Sequence, residues 1–190
     1  MSSINYRLAA ALAAVCIGAC GAAQAQMSGE HTVMVGGAAM YPSKTIVENA
    51  VNSKDHTTLV AAVKAAGLVD TLSGPGPFTV FAPTNEAFAK LPAGTVDALL
   101  KPENKDTLVK VLTYHVVAGR MTAADIKAAI KAGGGKATLT TVQGEPLTAT
   151  MMGGKIMLTD TKGGMATVTI ANVMQSNGVI LVVNSVLMPS

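Results

Sequence analysis

The spacing of apolar residues changes once along this chain. As far as residue 132 it follows helical turns, and from Lys136 onward it follows extended runs. Ile46, Val47, Ala50 and Val51 fall on one face of a first helix, which Ser43 opens. Leu59, Val60, Ala62, Val63 and Ala66 mark a second, with Asp55 as the expected cap and Gly67 as the left-handed stop. Thr95 to Leu100 reads as a short helix. Pro102, at a first-turn position, then starts a longer one whose stripe runs through Leu108, Val111, Leu112 and His115. Thr122 and Asp125 make a capping-box start for Ala123 to Ala132, which runs into Gly133-Gly134-Gly135.

Five runs rich in Val, Ile, Thr and Met follow, at Lys136 to Thr141, Pro146 to Met152, Lys155 to Asp160, Ala166 to Met174 and Val179 to Val183. Gly153-Gly154, Gly163-Gly164 and Asn177-Gly178 divide the last four, and such pairs favour tight hairpins. The expectation is an antiparallel meander behind a helical first part, an α+β architecture in one domain.

One stretch breaks the helical half. Phe78-Thr79-Val80-Phe81-Ala82 reads as a short buried strand bounded by Pro77 and Pro83. Thr84 can cap a following helix, with Glu86 in its first turn and Phe88 pointing back to the strand. All three phenylalanines lie here and aromatics make up only 3% of the chain, so the core is expected to gather around them.

Composition narrows the function classes. Hydrophobic residues reach 49%, enough for a core, and charged residues are only 13%. The net charge of +3 includes no basic run, which argues against nucleic acid. Arg7, the apolar Leu8 to Ile17 and the small-x-small Ala23-Gln24-Ala25 form an expected signal peptide over residues 1–25. The apolar run is too short to span a bilayer, and no other segment offers a transmembrane span. Ile17-Gly18-Ala19-Cys20 also fits a lipobox, so the alternative to plain secretion is a lipid anchor at Cys20. Both cysteines, Cys16 and Cys20, sit in that leader, so the folded part must rely on its core without disulfides. Residues 26–42 read as a Gly/Met-rich arm or linker, leaving 43–190 as the domain.

The strand and helix around the phenylalanines, TVFAPTNEAF from Thr79 to Phe88 with Asn85 after the cap, resemble the first conserved box of the fasciclin domain family. The final run, with Asn177, Gly178, Val179, Ile180, Val182 and Asn184, is similar to the second box. Tyr114-His115 resembles the Tyr-His segment between them, and the likeness extends over about Thr45 to Pro189. It departs at Leu181, where a histidine is common, and at Asn184, where an aspartate is common. The resemblance implies a fasciclin-like fold, a helical N-terminal part packed on a β-wedge. It also implies an exported adhesion module that binds extracellular or cell-surface protein or polysaccharide, with Tyr114 and His115 as candidate partner-recognition residues. The motif residues otherwise read as structural.

Read from its stripe alone, His115 is a buried imidazole hydrogen-bonded to backbone or to a polar neighbour. His31 and His56 are expected to be solvated. No Gly-x-Ser-x-Gly, His-Glu-x-x-His, Cys-x-x-Cys or Gly-x-x-x-x-Gly-Lys occurs, so neither an enzyme nor a cofactor is expected, and an uncharacterised hydrolase is the weakest alternative. Met27, His31, Met34 and Met40 in the arm offer soft ligands, so the other alternative is a periplasmic small-ligand or Cu(I)-binding protein.

Overall fold

A computed structural model describes residues 32–190. Among these residues seven α-helices and nine strands follow one another: β1 (Val33–Val35), β2 (Ala38–Met40), α1 (Ile46–Ala50), α2 (Thr57–Ala66), α3 (Val69–Ser73), β3 (Phe78–Pro83), α4 (Asn85–Ala89), α5 (Thr95–Leu100), α6 (Lys105–Tyr114), β4 (Val116–Ala118), α7 (Ala123–Ala132), β5 (Lys136–Thr140), β6 (Pro146–Met152), β7 (Lys155–Thr159), β8 (Met165–Gln175) and β9 (Gly178–Val183). The helices thus precede and follow β3, and α7 hands over to the meander.

The large sheet has the order β4-β3-β9-β8-β7-β6-β5. Strands β5 to β9 form the expected antiparallel meander. β9 then lies parallel to β3, pairing Phe78 with Gly178 through Pro83 with Val183. The two signature stretches, a hundred residues apart in the chain, are neighbours at the centre of the sheet. At the far edge, a bridge between Val117 and Thr141 and a bond from the Val142 N–H to the Val116 carbonyl bring the end of β5 back to β4. The sheet therefore curls into a wedge.

That curl divides the interior in two. Helices α1 to α6 pack on one face over Val80, Ala82, Ile180 and Val182. Inside the curl, Ile126 and Ile130 of α7 pack against Leu139, Leu147 and Leu158. The phenylalanines do not share one core: Phe81 lies inside the curl, whereas Phe88 and the half-buried Phe78 belong to the helical side. Alternation along a central strand buried on both faces sends neighbours in opposite directions.

Other expectations shift with local chemistry. Thr45 caps α1 in place of Ser43, because its hydroxyl accepts from the Glu48 N–H (3.3 Å) while the Glu48 carboxylate accepts from the Thr45 N–H (2.8 Å). Val51 falls just beyond that helix and is exposed. Asp55 sits within a 3₁₀ turn before α2 and makes no cap. The capping box at Thr122 and Asp125 and the left-handed Gly67 are as expected. The β8–β9 turn falls on Ser176 and Asn177, one residue earlier than the Asn-Gly pair implies, since Gly178 already pairs with Gln175. Gly178 serves close approach instead: a Cβ there would run into the Phe78 carbonyl.

Residues 33–40 are not a bland arm. They form a two-stranded hairpin whose Val35 and Met40 are both 2% exposed and belong to the helical core. The period is hard to read in strands of three residues. The expected signal peptide and the alternative anchor at Cys20, with Cys16, Met27 and His31, lie outside the described residues.

Candidate functional site

The signature residues are positioned by β3, β9 and the end of α6. Thr79 is a polar side chain in a buried strand, and its hydroxyl is satisfied twice: it donates to the Gly119 carbonyl (2.6 Å) and accepts from the Met121 N–H (2.8 Å). Thr84 accepts from the Ala87 N–H (3.3 Å) as the cap of α4. Asn85 accepts at Oδ1 from the Thr58 N–H (3.1 Å) and donates from Nδ2 to the Lys54 carbonyl (2.8 Å), fastening α4 to the start of α2.

Asn177 ties three elements together. Its Oδ1 accepts from the Ile46 N–H (3.1 Å), and its Nδ2 donates to the carbonyls of Leu72 (2.7 Å) and Gly74 (3.1 Å). Beside it, Asn49 is fully buried, donates to the Gln175 side chain and exchanges bonds with the Tyr41 backbone. Asn49 and Gln175 carry no sequence signal beyond being amides flanked by apolar residues.

Tyr114 and His115 are both interior, 0% and 2% exposed. The Tyr114 hydroxyl donates to the Pro146 carbonyl (3.1 Å), and burial pushes its phenol up. The geometry assigns the His115 tautomer. Nδ1 faces the Val111 carbonyl at 2.8 Å, which can only accept, and Nε2 faces the Leu187 N–H at 3.0 Å, which can only donate. The ring is therefore neutral with its proton on Nδ1, and burial holds it down at about 4. Neither side chain presents a surface to a partner.

Leu187 begins a captured carboxy-terminal strap. The Met188 N–H donates to Asp160 Oδ2 (2.9 Å), and the Ser190 N–H donates to Glu145 Oε2 (3.0 Å). Asp160 Oδ1 accepts from the N–H groups of Lys162 (3.0 Å) and Gly164 (2.6 Å), closing the β7–β8 turn. The Ser190 N–H holds the Glu145 carboxyl below its ordinary range. Sequence reading missed how both acids hold the strap, because the Met188 and Ser190 donors lie 28 and 45 residues further along the chain.

The departures from the family pattern are also interior or bonded. Leu181 is 0% exposed inside the curl. Asn184 Oδ1 accepts from the Thr167 N–H (2.8 Å), a task that needs no charge.

His56 is 2% exposed, against the expectation of a solvated ring. Its Nδ1 meets Ser53 Oγ at 2.9 Å, its Nε2 has no partner among the described residues, and burial lowers its pKa. It faces a cavity of about 20 Å³ shared with Met40. Met34 of the same hairpin is exposed, so the hairpin turns these two methionines in different directions and Met40 is withdrawn from any surface metal site. Among the described residues no three His, Cys, Asp or Glu side chains are grouped to hold a metal ion, and no helix is long and apolar enough to cross a membrane.

Comparison with known proteins agrees with this geometry. The family model described as Fasciclin domain matches residues 54–189. Protein sll1483 of Synechocystis is 51% identical over 160 residues, covering 84% of this chain and 82% of that protein. Immunogenic protein MPB70 of Mycobacterium bovis is 40% identical over 145 residues, covering 74% and 66%. Among solved structures, a FAS1 domain pair from the insect cell adhesion molecule Fasciclin I matches with a TM-score of 0.69 at 17% identity, covering 78% of this chain and 52% of that one.

Proposed function

The chain belongs to the fasciclin domain family, and from that premise we propose that it is a non-enzymatic adhesion or matrix-binding module working outside the cytoplasm, with polysaccharide or protein as its partner. One observation carries the reading. The groups that would attract a mechanism, Tyr114, His115, Asn177 and Asp160, are each committed to backbone partners that hold the scaffold. What remains for a partner is the outer surface, where recognition proceeds by shape and scattered polar groups, and many weak copies gain avidity. Export by the expected leader at residues 1–25, cut after Ala25 or lipidated at Cys20, belongs to this reading.

The test is retention of the exported protein on biofilm-matrix and cell-wall fractions beside an unrelated exported domain of equal charge. Selective retention supports the proposal; equal retention overturns it.

A further inference from the structure

We propose that the outward face of β5 to β8 is the docking surface, and that its occupant is an acidic polysaccharide strand. This rests on the module reading above and names its partner.

The inward positions of these strands are filled by the core, including Leu139, Leu147, Ile156, Leu158 and Val168, all 7% exposed or less. Helix α7 covers that side. The outward positions are then fixed by register. One row across the strands reads Thr138, Thr148, Thr159 and Met165, and the next reads Lys136, Thr150, Met157 and Thr167. Neighbours within a row stand about 4.8 Å apart and successive rows about 6.7 Å apart. Thr169 spends its hydroxyl on the Val182 carbonyl, whereas those of Thr138, Thr148, Thr159 and Thr167 make no protein hydrogen bond among the described residues. The face therefore offers hydroxyls and methyl groups side by side, flanked by the exposed Met152 and Met165. That mixture matches the hydroxyls and C–H faces of a sugar chain.

Charge selects the acidic class. Residues 115–190 carry six basic side chains and three acidic ones, Asp125, Glu145 and Asp160. All three acids accept backbone N–H bonds within the domain. No acid occurs in β5 to β8, while Lys136 and Lys155 are exposed at the outward face. The register puts Lys136 and Lys155 at one end of the strands and Glu145 and Asp160 beyond the other, so a carboxylate-bearing glycan meets positive charge at the lysine end, and a neutral one gains nothing from it. With no aromatic platform on the face, each contact is weak and binding depends on repetition along the polymer.

The experiment measures retention of the protein as exported from the cell on immobilised polygalacturonate and on dextran, with circular dichroism melts of every variant. Wild type is expected to bind polygalacturonate in a salt-sensitive way and to pass through dextran. K136E/K155E is expected to bind about tenfold more weakly, K136Q/K155Q by an intermediate amount, and T148V/T159V about threefold more weakly at unchanged charge. Undiminished binding by a folded K136Q/K155Q variant overturns this face and leaves the module reading intact. Equal retention on dextran overturns the acidic class. Failure on polygalacturonate with retention on matrix fractions points to a protein partner and overturns the glycan, and failure on every support overturns both proposals.

Discussion

Acid should loosen this fold through His115. The native state holds that ring neutral, at about 4 against an ordinary 6.5, because burial strips the imidazolium of solvent and Nε2 accepts from the Leu187 N–H. The unfolded chain takes up a proton that the folded one refuses, so stability is complete above pH 6.5 and falls as pH drops toward 4. At about 1.4 kcal/mol per pH unit the total is about 3 kcal/mol, a large part of a typical domain's stability. His56 is lowered by burial too and adds with the same sign. The lowered carboxyls of Glu48, Asp125 and Glu145 lose their contribution only below their own ordinary values, 3.8 for Asp125 and 4.5 for the two glutamates. Urea unfolding followed by circular dichroism at pH 7.0, 6.0 and 5.0 reads the slope. In H115Q, where an amide can accept from Leu187 and donate to Val111 without titrating, most of the slope should vanish. A flat wild-type profile, or an equal slope in H115Q, would refute the assignment of His115 as the buried neutral acceptor.

Three further substitutions test the scaffold. N177A strands the Ile46 N–H and the carbonyls of Leu72 and Gly74, so a loss of about 3 kcal/mol is expected in chemical denaturation, and a loss below about 1 would show that these bonds are replaceable. G178A forces β9 away from the Phe78 carbonyl and should cost about 2 kcal/mol or more, read as a lower thermal midpoint; an unchanged midpoint would contradict the close approach. V47I adds a methylene beside a cavity of about 40 Å³ between α1, α2 and β3, and a gain of up to about 0.8 kcal/mol is expected, with destabilisation arguing that the cavity cannot be filled from that side.

The parts legible in the sequence were those with local causes. The capping box at Thr122, the left-handed Gly67 and the glycine pairs between β6, β7 and β8 each state their geometry within a few residues. The hairpin β1–β2 and strand β4 were missed because three-residue strands carry no readable period and gain their pairing from the fold. Asn49, Gln175, Glu145 and Asp160 were missed for a related reason. The two amides meet across 126 residues, the acids take their strap donors from 28 and 45 residues away, and such pairs are recognisable only once the partners are placed. His56 misled because a helix-start histidine is ordinarily solvated, whereas here the hairpin, through Val35 and Met40, joins α1, α2 and the sheet in closing the cavity that it faces.

The motif residues explain why the family is easier to identify than the partner. Phe81 and Leu181 face each other in register at the centre of the sheet, and Gly178 lets β9 reach β3. His115 and Asp160 hold the strap, and Asn177 joins α1, α3 and the β8–β9 turn. A substitution at any of these is felt as packing or as an unpaired polar group, which makes the set a description of a scaffold. Leu181 and Asn184 depart from the pattern without disturbing it, since one position needs only bulk and the other only an acceptor. On the module reading proposed above, partner choice rests on side chains that the signature does not contain. On the outward face of the meander, the docking surface proposed above, a threonine can become a lysine, or a lysine a glutamate, without reaching the core, so the chemistry offered there can change while the fold stays the same.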